Sequence, residues 1–245
     1  MHGTEEHLKF WHQVQTEVEA SDITTAFFYV RYTLTPHAKY PTQLHEAVEG
    51  LRYVVEELGR SPSEVILAGD SAGGNLSLAV LSHIMNPSPD VPQLQIRQPL
   101  KALILMAPWI SFRDQPSMQR NAYKDLLSLD VVKKWSDMYM AGQEANFYSE
   151  ALLAPAEWWD KALVEKILVV AGADEVLVDS ISEWVGKYRV ILPSRTNGQL
   201  LICYSLSIQT SHMWLARKRP MTHLYSGPAS ATITTPNKEP PSSHG

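Results

Sequence analysis

The chain has 245 residues, enough for one α/β domain with a sizeable core, and its 44% apolar and 19% charged residues are ordinary for a globular protein. A formal net charge of -5 with no basic stripe argues against a nucleic-acid partner, and no apolar run approaches the ~20 residues of a membrane span. One cysteine, Cys203, excludes an internal disulfide and a cysteine metal site, and the N-terminus lacks a signal-peptide pattern, so the expected location is the cytoplasm.

Residues 5–19 read as a helix with Leu8, Trp11, Val14 and Val18 roughly on one face. The β-branched and aromatic run 24–32 predicts a buried strand, and Pro36 and Pro41 interrupt the chain beyond it. Leu44, Ala47, Val48, Leu51, Val55 and Leu58 then recur at helical spacing until Gly59. A strand over 65–69 leads into a helix over about 72–85 that is apolar nearly all round and therefore buried. After the loop of Pro87, Pro89 and Pro92, residues 100–106 form another strand. Helices are expected near 129–141 and 157–164, and a strand over 167–171. Strands alternating with helices predict an α/β fold, a mostly parallel, doubly wound sheet with helices on both faces.

After Tyr188 the alternation breaks down. The expected organisation is a sheet domain over 1–192, an irregular segment over 193–225 in which 200–206 could supply one strand, and a disordered Ser/Pro/Thr-rich tail over 226–245.

The chemistry concentrates at Gly69-Asp70-Ser71-Ala72-Gly73-Gly74. This is Gly-x-Ser-x-Gly between a strand and a helix, where small neighbours let the chain turn sharply and expose the serine hydroxyl. The helix behind it directs free amides, that of Ala72 first, at a developing oxyanion. A glycine-rich turn whose serine only caps a helix is the bland alternative. A nucleophilic serine needs a histidine base and an acid that orients it. The loop after 167–171 offers Asp174, Glu175 and Asp179, among which spacing does not choose; Asp179 also fits as a helix cap. Downstream lie only His212, His223 and His244, of which His212 best suits a loop following the run 200–206. His45 and His83 fall within predicted helices and read as packing or surface residues. No cofactor and no metal are expected, since no grouping has metal-ligand spacing and no Gly-rich loop suits a nucleotide phosphate.

Tyr32-Thr33-Leu34-Thr35-Pro36, Tyr40-Pro41 and Gly69-Asp70-Ser71-Ala72-Gly73-Gly74 together resemble the hormone-sensitive-lipase group of α/β-hydrolases. Ala107-Pro108-Trp109, the Trp158-Trp159 pair and the run 175–179 resemble its fungal esterase branch, which deacylates small metabolites or sterol esters. The resemblance covers about residues 5–190 and implies an acid in an acid-x-Leu-x-Asp pattern, which maps onto Glu175, Leu177 and Asp179, with Asp174 as the fallback. Two departures stand out. The group's His-Gly-Gly-Gly loop does not precede the first helix, where His2-Gly3 is a superficial echo, and its Gly-x-x-His loop does not follow the last strand. Against the group, the chain therefore reads as truncated at its N-terminus and altered at its C-terminus, with an incomplete sheet and an unpaired edge.

The reading that results is a carboxylic-ester hydrolase that removes a short acyl group from a small apolar metabolite. Ser71, His212 and Glu175 form the triad, the Ala72 amide serves the oxyanion, and Trp109, Met138, Trp158 and Trp159 line an apolar pocket. The alternative is a catalytically inactive small-molecule binding protein on the same scaffold, or a truncated, non-functional member.

Overall fold

The computed structural model describes residues 5–191 and 199–205. Four strands, β1 (Ile66–Asp70), β2 (Ala102–Met106), β3 (Lys166–Gly172) and β4 (Gln199–Ser205), pair in that order and all in parallel. Parallel neighbours need long crossovers, and helices supply them. The helices are α1 (Glu5–Glu19), α2 (Thr42–Arg52), α3 (Ala72–Met85), α4 (Pro116–Arg120), α5 (Leu129–Met140) and α6 (Val178–Ile191). The α/β class and the parallel sheet are as the alternation of apolar runs predicts.

The core sits where the apolar pattern is densest. α3 buries every residue from Gly74 to Ile84, because it passes between the sheet and α2. In β3, Ile167, Val169 and Ala171 are buried, the period-two signature of a strand with one face in the core. On α6, Trp184 stacks on Tyr188 with ring centroids 5.4 Å apart and meets Trp159 edge-on at 5.5 Å. Among the described residues no helix is long and apolar enough to cross a membrane.

Four sequence expectations change here. Residues 24–32 take no regular secondary structure, and Phe27, Phe28 and Tyr29 are about half exposed. Composition marks an extended backbone, but a strand exists only where a neighbour takes its amides and carbonyls. This segment leans instead on side chains, Phe27 on Trp11 and Phe28 on Tyr53. The helix expected over 157–164 is a 3-10 turn, Ala156–Trp159, followed by a parallel bridge from Val164 to Leu100. The helix begun by α2 passes into a π turn, Tyr53–Glu57, before Gly59 ends it at a φ of 64°. β4 carries the sheet past the boundary drawn at 192, while the tail 226–245 lies outside the described residues. The free outer edge of β1, where Ile66 is 52% exposed, is unpaired among the described residues.

Candidate active site

At the end of β1 the chain reverses within one residue. Ser71 has φ 53° and ψ -113°, a conformation that costs a non-glycine residue about 1–3 kcal/mol. Its surroundings hold it there. The Ser71 amide donates to the Met106 carbonyl (2.9 Å), and its own carbonyl accepts from the amides of Trp109 (2.9 Å) and Asn75 (3.1 Å). The Asn75 carboxamide donates to the Trp109 and Ser149 carbonyls at 2.8 and 2.9 Å, tying α3 to the loop after β2. The glycines are obligatory for contact. A Cβ at position 69 would lie 2.1 Å from the Gly73 carbonyl oxygen, and one at position 74 would lie 2.8 Å from the Pro108 Cβ. The first amides of α3, beginning with Ala72, have no acceptor within the helix, so they and the helix dipole face the turn.

In a parallel sheet all carboxyl ends share one edge, so the loop after β3 opens beside the serine turn. β1 and β3 flank β2, which sets their ends about 10 Å apart. Of the three carboxylates there, two are occupied. Asp174 pairs with Lys124 at 2.7 Å. Asp179, in the first turn of α6, pairs with Arg120 at 2.8 Å and accepts the Ser117 amide at 2.8 Å. Burial pushes the Asp179 carboxyl up, but these partners outweigh it and hold it below the usual carboxylate range. Glu175 differs. Its Oε2 is buried without a hydrogen-bond partner among the described residues. Burial raises its pKa to about 7, with the charges of Asp125 and Asp70 adding to the rise and a backbone hydrogen bond at Gly172 opposing it.

A shallow hollow, with room for about one water, adjoins the serine and is lined by Ser71, Trp109, Leu127, Val132, Trp135 and Leu177. Of the four residues expected in an apolar pocket, Trp109 is there. Trp159 is fully buried against Trp184, and Trp158 packs on Phe147 and Tyr148 while its indole donates to Ser82 Oγ at 3.2 Å. Met138 is half-buried on α5 but does not line this cavity, which takes Val132 and Trp135 from that helix. Large apolar residues are common in any core, so size alone does not pick out those facing a serine.

Residues 7–189 match the family model described as the alpha/beta hydrolase fold. The chain belongs to the α/β-hydrolase family. It is 28% identical over 123 residues to a human protein named arylacetamide deacetylase-like 2, covering 47% of this chain and 29% of that one. It is 27% identical over 152 residues to a Streptomyces hygroscopicus acetyl-hydrolase, covering 61% of this chain and 46% of the other. A crystal structure of an esterase from the bacterial hormone-sensitive lipase family superposes with a TM-score of 0.57 at 23% identity, covering 71% of this chain and 54% of that chain. The chain thus spans less than half the length of these two curated relatives, and the likeness in structure establishes the fold.

Within this α/β-hydrolase the histidines divide sharply. His83 is buried and satisfied, its Nδ1 accepting the Ser88 amide at 3.0 Å and its Nε2 donating to the Pro92 carbonyl at 3.2 Å. Burial pushes its pKa down, which suits a neutral packing residue. His45 is an exposed neighbour of Glu49. His212, His223 and His244 lie outside the described residues. Sequence reasoning missed the contact of His7 Nε2 with Asp70 Oδ2 (3.2 Å), which links α1 to the residue preceding the serine. Burial raises the Asp70 pKa and His7 opposes the rise. It also missed Leu127, Val132 and Trp135 as cavity residues. Val132 and Trp135 stand three apart on α5, a spacing that puts both on one face.

Proposed function

We propose that this chain is a carboxylic-ester hydrolase that removes a short acyl group from a small apolar metabolite, within the hormone-sensitive-lipase group. Ser71 Oγ attacks the acyl carbonyl and passes its proton to His212, which Glu175 orients. The oxyanion of the tetrahedral intermediate takes a hydrogen bond from the Ala72 amide. The protonated histidine then gives its proton to the departing alcohol, and water repeats the sequence on the acyl-enzyme.

The observation that carries this reading is the Ser71 backbone, held at positive φ between the end of a parallel strand and the free amides of a buried helix. Two further points support it. Glu175 is the carboxylate of its loop that no ion pair occupies among the described residues. His212 follows the end of β4 by seven positions, a reach of about 23 Å against the roughly 14 Å that separates β4 from β1 across three strand spacings. The hollow beside the serine is lined by the apolar side chains of Trp109, Leu127, Val132, Trp135 and Leu177, which supports an apolar acyl group.

The test is labelling with a fluorophosphonate probe together with hydrolysis of p-nitrophenyl acetate and butyrate. Both should be present in the parent chain, and Ser71→Ala should abolish labelling and lower hydrolysis by up to about 10⁶-fold. Hydrolysis that survives Ser71→Ala refutes the assignment. A parent chain that binds apolar esters without labelling supports the inactive binding protein instead.

A further inference from the structure

The loop that presents Glu175 is gripped from outside the sheet by one stretch of chain, 117–125. Ser117 Oγ donates to the Val176 carbonyl (2.7 Å), and Asp125 Oδ2 accepts the Val176 amide (2.7 Å). The Asn121 carboxamide donates to the Glu175 carbonyl at 2.9 Å and makes a longer contact with that of Ala173 at 3.5 Å. Lys124 holds the Asp174 side chain. Each residue from 173 to 176 is thus held by the same stretch, and the Glu175 carboxyl takes no part in the grip.

Asn121 is the centre of this arrangement. It is 1% exposed, its amide bonds the Ser117 carbonyl (2.9 Å), and its carbonyl accepts from the amides of Lys124 (2.8 Å) and Asp125 (3.1 Å). One residue therefore joins the end of α4 to the turn carrying Asp125, and reaches the Glu175 peptide directly. The Glu175 side chain is half-buried, with its Oε2 out of contact with water. A carboxylate so placed, with Asp125 and Asp70 acting on it, gains hydration by swinging outward, and a pinned backbone beneath it opposes that.

We propose that Asn121 is a positioning residue, whose buried carboxamide fixes the Glu175 peptide so that Oε2 of the carboxyl stays buried and free to orient a histidine. This rests on the reading of Glu175 as the triad acid. It makes the segment 117–125 a support for the acid as well as the approach to α5, whose Val132 and Trp135 wall the serine cavity.

The experiment uses the full chain labelled with ¹³C at glutamate carboxyls, titrated by NMR, with the Glu175 signal assigned by its loss in Glu175→Gln. In the parent one glutamate should titrate near 7. Asn121→Ala should move that titration down toward the usual carboxylate range and slow fluorophosphonate labelling about 10–100-fold, as loss of a supporting residue commonly does. Ser117→Ala should shift both in the same direction by less. Gln43→Ala is the control for a merely structural effect: it removes another buried amide, which donates to the Thr33 carbonyl at 2.9 Å, and should leave both readouts in place. The proposal is overturned if folded Asn121→Ala keeps the parent titration and labelling rate, or if Gln43→Ala reproduces its losses. Should Asn121→Ala not fold, an unchanged titration in Ser117→Ala overturns it. Failure of the acid assignment itself shows separately, as Glu175→Gln labelling at the parent rate.

Discussion

The serine turn and the acid loop lie at the same edge of one sheet but are held by different means. The turn is held by backbone: the Ser71 amide and carbonyl bond Met106, Trp109 and Asn75, and a Cβ at Gly69 would run into the Gly73 carbonyl. The acid loop is held by side chains 50 to 59 positions earlier in the chain, Ser117, Asn121 and Asp125 reaching its carbonyls and amides and Lys124 the Asp174 carboxylate. A turn packed against backbone tolerates no change in size, because backbone sits where a side chain would go. A loop stabilised from a distance tolerates loss of an outer contact and responds mainly to loss of a buried one.

The sharpest way to break this contrast is at position 69. Gly69→Ala places a Cβ 2.1 Å from the Gly73 carbonyl oxygen, and backbone rather than a flexible side chain must move. The expected cost is at least about 3 kcal/mol, read as a fall in the urea midpoint, with loss of probe labelling in any protein that folds. A stable, labelled Gly69→Ala would show that the backbone at the turn can give way without loss of the serine geometry.

At the acid loop the expected effect is smaller and depends on pH. The folded-state value of Glu175, about 7, stands above the ordinary 4.5, so the folded chain keeps this proton more tightly than the unfolded chain does. Its contribution is therefore present below pH ~4.5 and is lost as pH rises through about 7. Glu175→Gln, neutral throughout, should match the parent near pH 4.5 and exceed it by about 1–3 kcal/mol at pH 8, while losing labelling. Equal stability at both pH values would mean that the carboxyl is fully hydrated.

The smallest effect belongs to the outer side of the grip. Lys124 and Asp174 pair in exposed positions, where ion pairs contribute little. Lys124→Ala should leave the urea midpoint unchanged and labelling within about two-fold of the parent. A loss as large as that of Asn121→Ala would make the grip electrostatic rather than a matter of buried hydrogen bonds.

The helix from Ala72 to Met85 and the strands before and after it were legible because their signals are local: glycine beside serine, a β-branched run before it, an all-round apolar run after it. By itself the sequence determined the class of fold, the parallel alternation and the turn at Ser71. It did not determine that residues 24–32 have no sheet partner among the described residues, since pairing depends on a neighbouring strand and not on the composition of one segment. Nor did it distinguish Trp109, at the serine, from Trp158 and Trp159, buried elsewhere. Among Asp174, Glu175 and Asp179, the tertiary structure decided which has no ion-pair partner among the described residues. Arg120 and Lys124 neutralise two of them from more than 45 residues away, and burial acts on the third. Conformational preference is written into neighbouring residues, whereas burial and charge pairing are set by what the folded chain brings alongside.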